Sequence, residues 1–403
     1  MISLPIASVR VKDAMGGEDR MARSGRLVLS VFVDAYGWEL ARRVPILEDV
    51  LAYRAPLQTV FGYSSTCDPT ILTGAAPRDH GHFSFFVYDP PRSPFKALRW
   101  FRYLPSQVVD RGRVRSWISA GVGRMLGWNG YFQLYNVPWD VLPLMDYIEK
   151  RDIYFPGGIL GGQETVFDPL RQRGIPFSLS DWRRPEVENV ARLKADVSHG
   201  RIALGWLFLA SMDAVLHDQG TRGPGVEARL RWYEARVREV LAIARERYED
   251  VRLHLFSDHG MTDVTGTCDL QARVQATGLK YGQDYVAVYD STTARFWYLR
   301  DGAREHIEAA LAQEPRGRLL DDDTLHAWGV DFPGRRYGHR FWLADPGVLI
   351  VPSHMGLRPI AGMHGYAPDD PDSVAFYGTN ATDAPRPAGL ADLKDVFLSE
   401  LGL

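Results

Sequence analysis

Three apolar runs, each followed within a few residues by an aspartate, constrain this chain more than any other feature. Leu27–Val33 is apolar apart from Ser30 and ends at Asp34. Ile202–Ala210, broken by Gly205, precedes Asp213, and the shorter run Val251–Phe256 leads to Asp258. Runs of this kind suit strands buried on both faces, as inside a parallel sheet. Ligands of open α/β sheets collect beyond the carboxyl ends of the strands. Three aspartates at such ends therefore mark a candidate site. Between the second and third runs, Val226, Leu230, Tyr233, Val237, Val240, Leu241 and Ala244 follow a helical stripe with Arg and Glu opposite. Strand, site residue, helix and strand is the order an α/β core requires.

The expected fold is α/β, a central and mostly parallel sheet flanked by helices, with two insertions. A length of 403 residues suits two or three structural units. The catalytic core is read as 26–90, 171–282 and 346–403. A cap insertion spans 91–170, rich in Pro, Gly, Trp, Tyr and Phe without clean strand–helix alternation. A small α+β insertion spans 283–345, with strands at Tyr285–Tyr289 and Ala294–Leu299 and a helix at Arg304–Gln313. Asp392–Leu401 reads as a closing helix.

Composition narrows the function. Forty-seven Lys and Arg against 50 Asp and Glu give a net charge of −3, so no global basic field argues for nucleic acid. No apolar segment approaches the roughly 20 residues that span a bilayer. Met1–Arg26 lacks the apolar core of a signal peptide. Cys67 and Cys268 are too few for a disulfide framework. Together these give a cytoplasmic expectation.

Four short motifs carry chemistry. Asp213 and His217 are four apart, so a helix turns both to one face, where a carboxylate and an imidazole can share a metal. Ser257-Asp258-His259-Gly260 places an acid and an imidazole directly after a strand. His364 stands between Gly362 and Gly365, on backbone able to approach a ligand. Tyr63-Ser64-Ser65-Thr66 is a hydroxyl cluster entering a short helix that closes at Gly74, and a helix N-terminus favours anions. Singly, each has an ordinary reading: a surface pair, a turn, a loop histidine, an N-cap. Jointly, three carboxylates, three imidazoles and a hydroxyl suffice for two divalent ions and one nucleophile.

In this order the motifs resemble the alkaline phosphatase superfamily, specifically its nucleotide pyrophosphatase/phosphodiesterase branch, from about residue 26 to 400. The resemblance implies a two-metal phosphohydrolase, with zinc as the expected ion. Asp213, His217 and His364 would hold one ion, and Asp34, Asp258 and His259 the other. Ser64, ten residues before Gly74, would be the nucleophile and a metal ligand, forming a phospho-Ser64 intermediate, with Ser65 and Thr66 as fallbacks. The substrate would be a small-molecule phosphate ester, nucleotide-linked or lipid-linked.

The pattern also departs from that branch. The branch uses Thr as nucleophile with Pro two residues on, whereas here Ser64 is followed by Thr66, and Pro comes at 69. The branch carries an Asn 21 residues after the nucleophile to hold a phosphoryl oxygen; here that position is Phe85. His82 and Ser84 are candidate substitutes, and Arg78 is a candidate phosphate clamp. A formylglycine sulfatase is disfavoured, because Cys67 is out of register. A phosphomonoesterase, a phosphoryl transferase and a metal-binding member without turnover are the alternatives. Residues 92–125 hold eight basic residues and one acid, Asp110, interleaved with aromatics. With Arg335, Arg336, His339 and Arg340, they are expected either to form a solvated cap or to collar the cleft.

Overall fold

A computed structural model describes residues 24–403. The N-terminal stretch before Ser24, which entered the signal-peptide reading, lies outside the described residues.

The expected central sheet is present with six strands, in the order Tyr53–Leu57, Ala375–Thr379, Tyr248–Phe256, Ser24–Val33, Leu204–Leu209, Phe177–Leu179. Ser24–Val33 pairs in parallel with Leu204–Leu209 on one side and Tyr248–Phe256 on the other, placing Val31 opposite both Leu207 and Leu255. Phe177–Leu179 extends the parallel set. Ala375–Thr379 alone runs against it. Because the three apolar strands share one direction, their carboxyl ends meet at one sheet edge, and Asp34, Asp213 and Asp258 follow there.

Alternation along the central strand fixes the two layers. Leu27, Leu29, Val31 and Val33 pack against Val190, Leu193 and Val197 of helix Glu186–Ser198 and against helix Pro224–Arg247. All seven residues of the sequence stripe on Pro224–Arg247 are buried. Val28 and Phe32 point the other way, toward Ile71 and Leu72 of helix Ser64–Thr73 and Phe397 of helix Leu393–Glu400. Each such fully buried Leu, Val or Phe contributes roughly 1.5–3 kcal/mol, so the strand is held from both faces.

A second sheet is wholly antiparallel, in the order Tyr285–Tyr289, Thr293–Tyr298, Arg340–Ala344, Gly317–Leu320. Helix Ala303–Ala312 packs on it through Ile307 and Leu311. Its other face shares a core with Phe83, Phe86, Phe95, Leu134 and Tyr147. The aromatic segment after residue 90 thus builds a packed layer against this sheet. It also carries a helix, Gly112–Met125, that the sequence pattern did not announce. No described helix is long and apolar enough to cross a membrane.

Candidate active site

Asp34 is the residue after the central strand, and its backbone N–H still bonds Leu209 at 3.1 Å. Asp258 follows Phe256 by two residues and is fully buried; its Oδ1 accepts from the Ala35 N–H at 3.1 Å. His259 comes next, and the chain then turns at Gly260, where a side chain would collide with the Asp372 carbonyl. Asp213 and His217 lie on helix Ser211–Gln219, one turn apart. His364 precedes Gly365, whose φ of 85° suits glycine and brings the backbone against the Tyr63 ring.

Two trios result. The ligand atoms of Asp213, His217 and His364 lie within 4.8 Å of one another, and so do those of Asp34, Asp258 and His259. His259 and His364 join the trios, their rings stacked at 3.8 Å and 12°. His217 Nδ1 lies 2.8 Å from the Gly362 carbonyl, and His259 Nδ1 lies 2.8 Å from the Gly260 carbonyl. A ring that donates from Nδ1 turns a bare Nε2 forward when neutral. His217 Nε2 stands 3.2 Å from Asp213 Oδ1, and His259 Nε2 stands 3.0 Å from Asp258 Oδ2. A lone pair facing a carboxylate needs a cation between them, a proton or a metal.

The electrostatics say the same. Burial first, then the charges of Asp258 and Asp213, hold the Asp34 carboxyl well above its ordinary range. Burial alone would lower His259, but the charge of Asp258 and its hydrogen bond outweigh it and lift the ring to about 9. Burial is likewise overridden at His217 by Asp213, which raises it. His364 is pushed well down by burial and by His259. Buried Asp34 Oδ1 and His364 Nδ1 have no hydrogen-bond partner among the described residues. Mixed imidazole and carboxylate donors with unsatisfied buried atoms fit divalent ions of the zinc type.

Ser64 is the first residue of helix Ser64–Thr73, and its Oγ lies 3.1 Å from His259 Nε2. The neighbouring hydroxyls are committed elsewhere: Ser65 Oγ and Thr66 Oγ1 both donate to the Phe83 carbonyl, at 3.0 and 2.8 Å. Gly74 closes the helix in the left-handed conformation, φ 69°.

A cavity of about 610 Å³ opens over this end of the sheet. Asp34, Ser64, Ser65, Asp213, His217 and His364 line it, and so do Ser84 and Phe85. Ser84 is already engaged, donating to Asp290 and accepting from Arg295 Nη2 at 2.8 Å. His82 and Arg78 are not brought to the cavity. His82 is buried and accepts from the Leu160 N–H at 3.0 Å. Arg78 pairs with Asp331 at 2.6 Å and donates to the His326 carbonyl.

The basic collar is also not in the cavity lining. Arg115 is buried against Asp110 and stacked on Trp139, while Arg335 and Arg340 pair with Asp322 and Glu308. Local acids neutralise these side chains, which a charge count over the sequence cannot show. The lining that sequence analysis missed comes largely from 131–154: Tyr131, Tyr135, Glu149, Arg151, Asp152 and Tyr154, with Trp182 and Asp290. Asp68 also lines it, and its spacing from Ser64, one helical turn, was the one available signal.

Comparison with known proteins decides the family. Residues 28–367 match the model of the type I phosphodiesterase / nucleotide pyrophosphatase family. The chain belongs to that family. It is a hydrolase of the phosphodiesterase/nucleotide pyrophosphatase type, within the alkaline phosphatase superfamily. No curated protein matches it by sequence. Among solved structures, murine ectonucleotide pyrophosphatase / phosphodiesterase 5 is similar at a TM-score of 0.67 and 16% identity, over 94% of this chain and 95% of that chain. An inactive variant of the murine protein in complex with AMP and the human counterpart superpose equally, each with TM-score 0.67 and 16% identity over 94% of this chain and 95% of theirs. At that identity the likeness speaks for the fold, an α/β sheet of the alkaline phosphatase kind.

Proposed function

We propose that the chain hydrolyses phosphodiesters through Ser64, with Asp213, His217 and His364 holding one zinc ion and Asp34, Asp258 and His259 holding the other. The observation that carries this is the position of Ser64 Oγ, 3.1 Å from His259 Nε2 and beside the stacked His259–His364 pair that joins the trios. Divalent ions at such sites supply Lewis-acid stabilisation of charge on the attacking and leaving oxygens. Ser64 Oγ bonds to phosphorus as the bond to the leaving alcohol breaks, and that alcohol's oxygen takes a proton. Water then attacks phospho-Ser64, releasing the serine, which recovers a proton. Asp258 and His259 fix each other, and the Gly260 carbonyl holds the ring's orientation.

A diester is favoured over a monoester by what lies around the phosphate. With Arg78 turned to Asp331, the one arginine lining the cavity among the described residues is the exposed Arg151. The second negative charge of a monoester therefore finds no buried clamp. Nucleotide-linked and lipid-linked esters both fit this reading. A cytoplasmic setting is proposed as well, supported by two buried cysteines without a disulfide; a fluorescent fusion of the full chain tests it. The activity is tested by paired turnover of an aryl phosphodiester and the matching monoester by zinc-loaded protein. Diester preference is expected, with loss of turnover in Ser64→Ala. Monoester preference, or full activity in that variant, would overturn the assignment.

A further inference from the structure

Away from the catalytic cavity, the segment 96–126 turns an apolar and basic face to solvent. More than half of the exposed large apolar side chains among the described residues fall here; Trp100, Tyr103, Leu104, Val108, Trp117 and Met125 are 49% to 78% exposed. Soluble chains rarely leave so many large apolar groups together without a partner. The segment is tied down from within. Leu98 and Phe101 of Lys96–Tyr103, Val109 of Ser106–Val109, and Ile118 and Val122 of helix Gly112–Met125 pack on one core cluster. Trp139 anchors both ends of it. Phe101 stacks on the Trp139 ring at 4.9 Å, and the Arg115 guanidinium covers that ring at 4.2 Å. Asp110 accepts from Trp139 Nε1–H and from Arg115, each at 2.8 Å. The inner sides share one anchor, so the outer sides face solvent together.

Charge on this face is one-sided. Arg99, Arg102, Arg111, Arg113 and Arg124 are exposed and form no ion pair with any described residue. Arg99 and Arg102 lie over the rings of Trp100 and Tyr103 at 4.9 and 4.6 Å, so cation and ring share one surface. On helix Gly112–Met125 the exposed Arg113, Trp117, Ala120 and Arg124 follow one stripe. A side chain at Gly121, on the same side, would meet nothing within 4 Å. The acids at hand are few. Asp110 is already held, Asp89 lies 3.6 Å from Arg92, and the exposed Asp140 reaches Arg102 with its charge alone.

We infer that this face docks on an anionic lipid bilayer, lying in the headgroup layer with Trp100, Tyr103, Trp117 and Met125 entering the acyl boundary. Unpaired arginines meet anionic headgroups, indole and phenol rings suit the interface, and Leu104 and Val108 find hydrocarbon. Docking is along the surface, since no described helix is long and apolar enough to cross. The whole chain carries a net charge of −3, which an anionic surface repels, so attraction must come from this face. Other occupants fit less well. A second copy placed symmetrically on the face would set its arginines against their own kind. Single-stranded nucleic acid would stack on the rings but leave Leu104, Val108 and Met125 wet. Docking of this kind needs nothing from the metal trios and stands apart from the phosphodiesterase reading.

Co-sedimentation of the full chain with phosphatidylcholine vesicles, with and without about 30% phosphatidylserine, measures the partition. Binding should be about tenfold or more tighter on the anionic vesicles and should fall as salt rises from about 0.05 to 0.5 M. The triple variant Arg99→Glu/Arg113→Glu/Arg124→Glu should bind about a hundredfold more weakly, since each basic residue at such a surface is worth roughly fivefold. Arg201→Glu/Arg245→Glu/Arg318→Glu makes the same charge change at exposed arginines outside the face and should stay close to wild type. Trp100→Ser/Trp117→Ser should lose about tenfold. Hydrogen exchange on the wild type needs no variant and should slow over 96–126 when anionic vesicles are added. No partition at low salt, equal loss in the two arginine variants, indifference to the tryptophan pair, or unchanged exchange over 96–126 each overturns the surface. Two other outcomes also overturn it: tight binding of oligo(dT) without vesicle binding, which makes this a nucleic-acid face, and self-association abolished by the tryptophan pair without vesicle binding, which makes it a contact between copies.

Discussion

Asp34→Asn should stabilise the metal-free protein while abolishing much of its response to metal. Asp34 is 7% exposed, its Oδ1 has no hydrogen-bond partner among the described residues, and its carboxyl is held well above its ordinary value of 3.8. Ligand atoms of Asp34 and Asp258 lie within 4.8 Å, where two unit charges repel by about 3.5 kcal/mol at an effective dielectric of 20. Attraction to protonated His259, 3.8 Å away, offsets part of this. Protonation sets a ceiling. Carrying a proton at pH 7 on a group that titrates near 3.8 when unfolded costs at most about 4.4 kcal/mol. The gain in the Asn variant should therefore fall between about 1 and 4 kcal/mol at pH 7.

The sign also fixes the pH dependence. A raised folded-state pKa means the folded protein holds a proton that the unfolded chain has released. The penalty is absent below the unfolded value and grows as pH rises above it. The advantage of the variant should thus shrink as pH falls from 7 toward 4. Urea denaturation in a chelator at several pH values reads this directly, and repeating it in zinc should show a much smaller metal-induced stabilisation than in wild type. A destabilised metal-free variant at pH 7, or a gain independent of pH, would refute the reasoning.

Three further outcomes follow from the same geometry. Ser64→Ala should lose at least about a thousandfold in diester turnover, the scale of removing an activated nucleophile, while elemental analysis still finds two metals per chain; loss of metal would mean that Ser64 is chiefly a ligand. His364→Ala should bind one ion instead of two, and unchanged stoichiometry would remove it from the ligand set. Metal affinity should rise with pH up to about 9, because His259 and His217 hold protons against Asp258 and Asp213 that a metal must displace. Competition with a chelating dye between pH 6 and 9 measures this, and a flat profile contradicts it.

Much of this site was legible because its ligands follow sheet strands or sit on one helix face. A buried strand announces itself by its apolar run, and a parallel sheet brings like ends together, so Asp34 and Asp258 could be placed without coordinates. Asp213 and His217 needed only the helical period. Other parts were illegible for definite reasons. Arg78 and the arginines of 92–125 look available in sequence, yet Asp331 and Asp110 claim Arg78 and Arg115 through pairings across 253 and 5 residues. Ser84 carries the hydroxyl expected to serve the phosphate, but Arg295, 211 residues on, fixes that hydroxyl.

What the sequence determined by itself was periodicity and local chemistry: the buried strands, the amphipathic helix, and the acids and imidazoles that punctuate them. Tertiary structure decided which charges remain free and what surrounds the phosphate. The rings of Phe85, Trp182 and the Tyr131–Tyr135 pair arrive from three loops far apart in sequence, so only packing brings them into one lining. The reason is physical. Secondary structure is set by neighbours along the chain, whereas neutralisation of a charge and the shape of a cavity depend on groups that folding alone brings within a few ångströms.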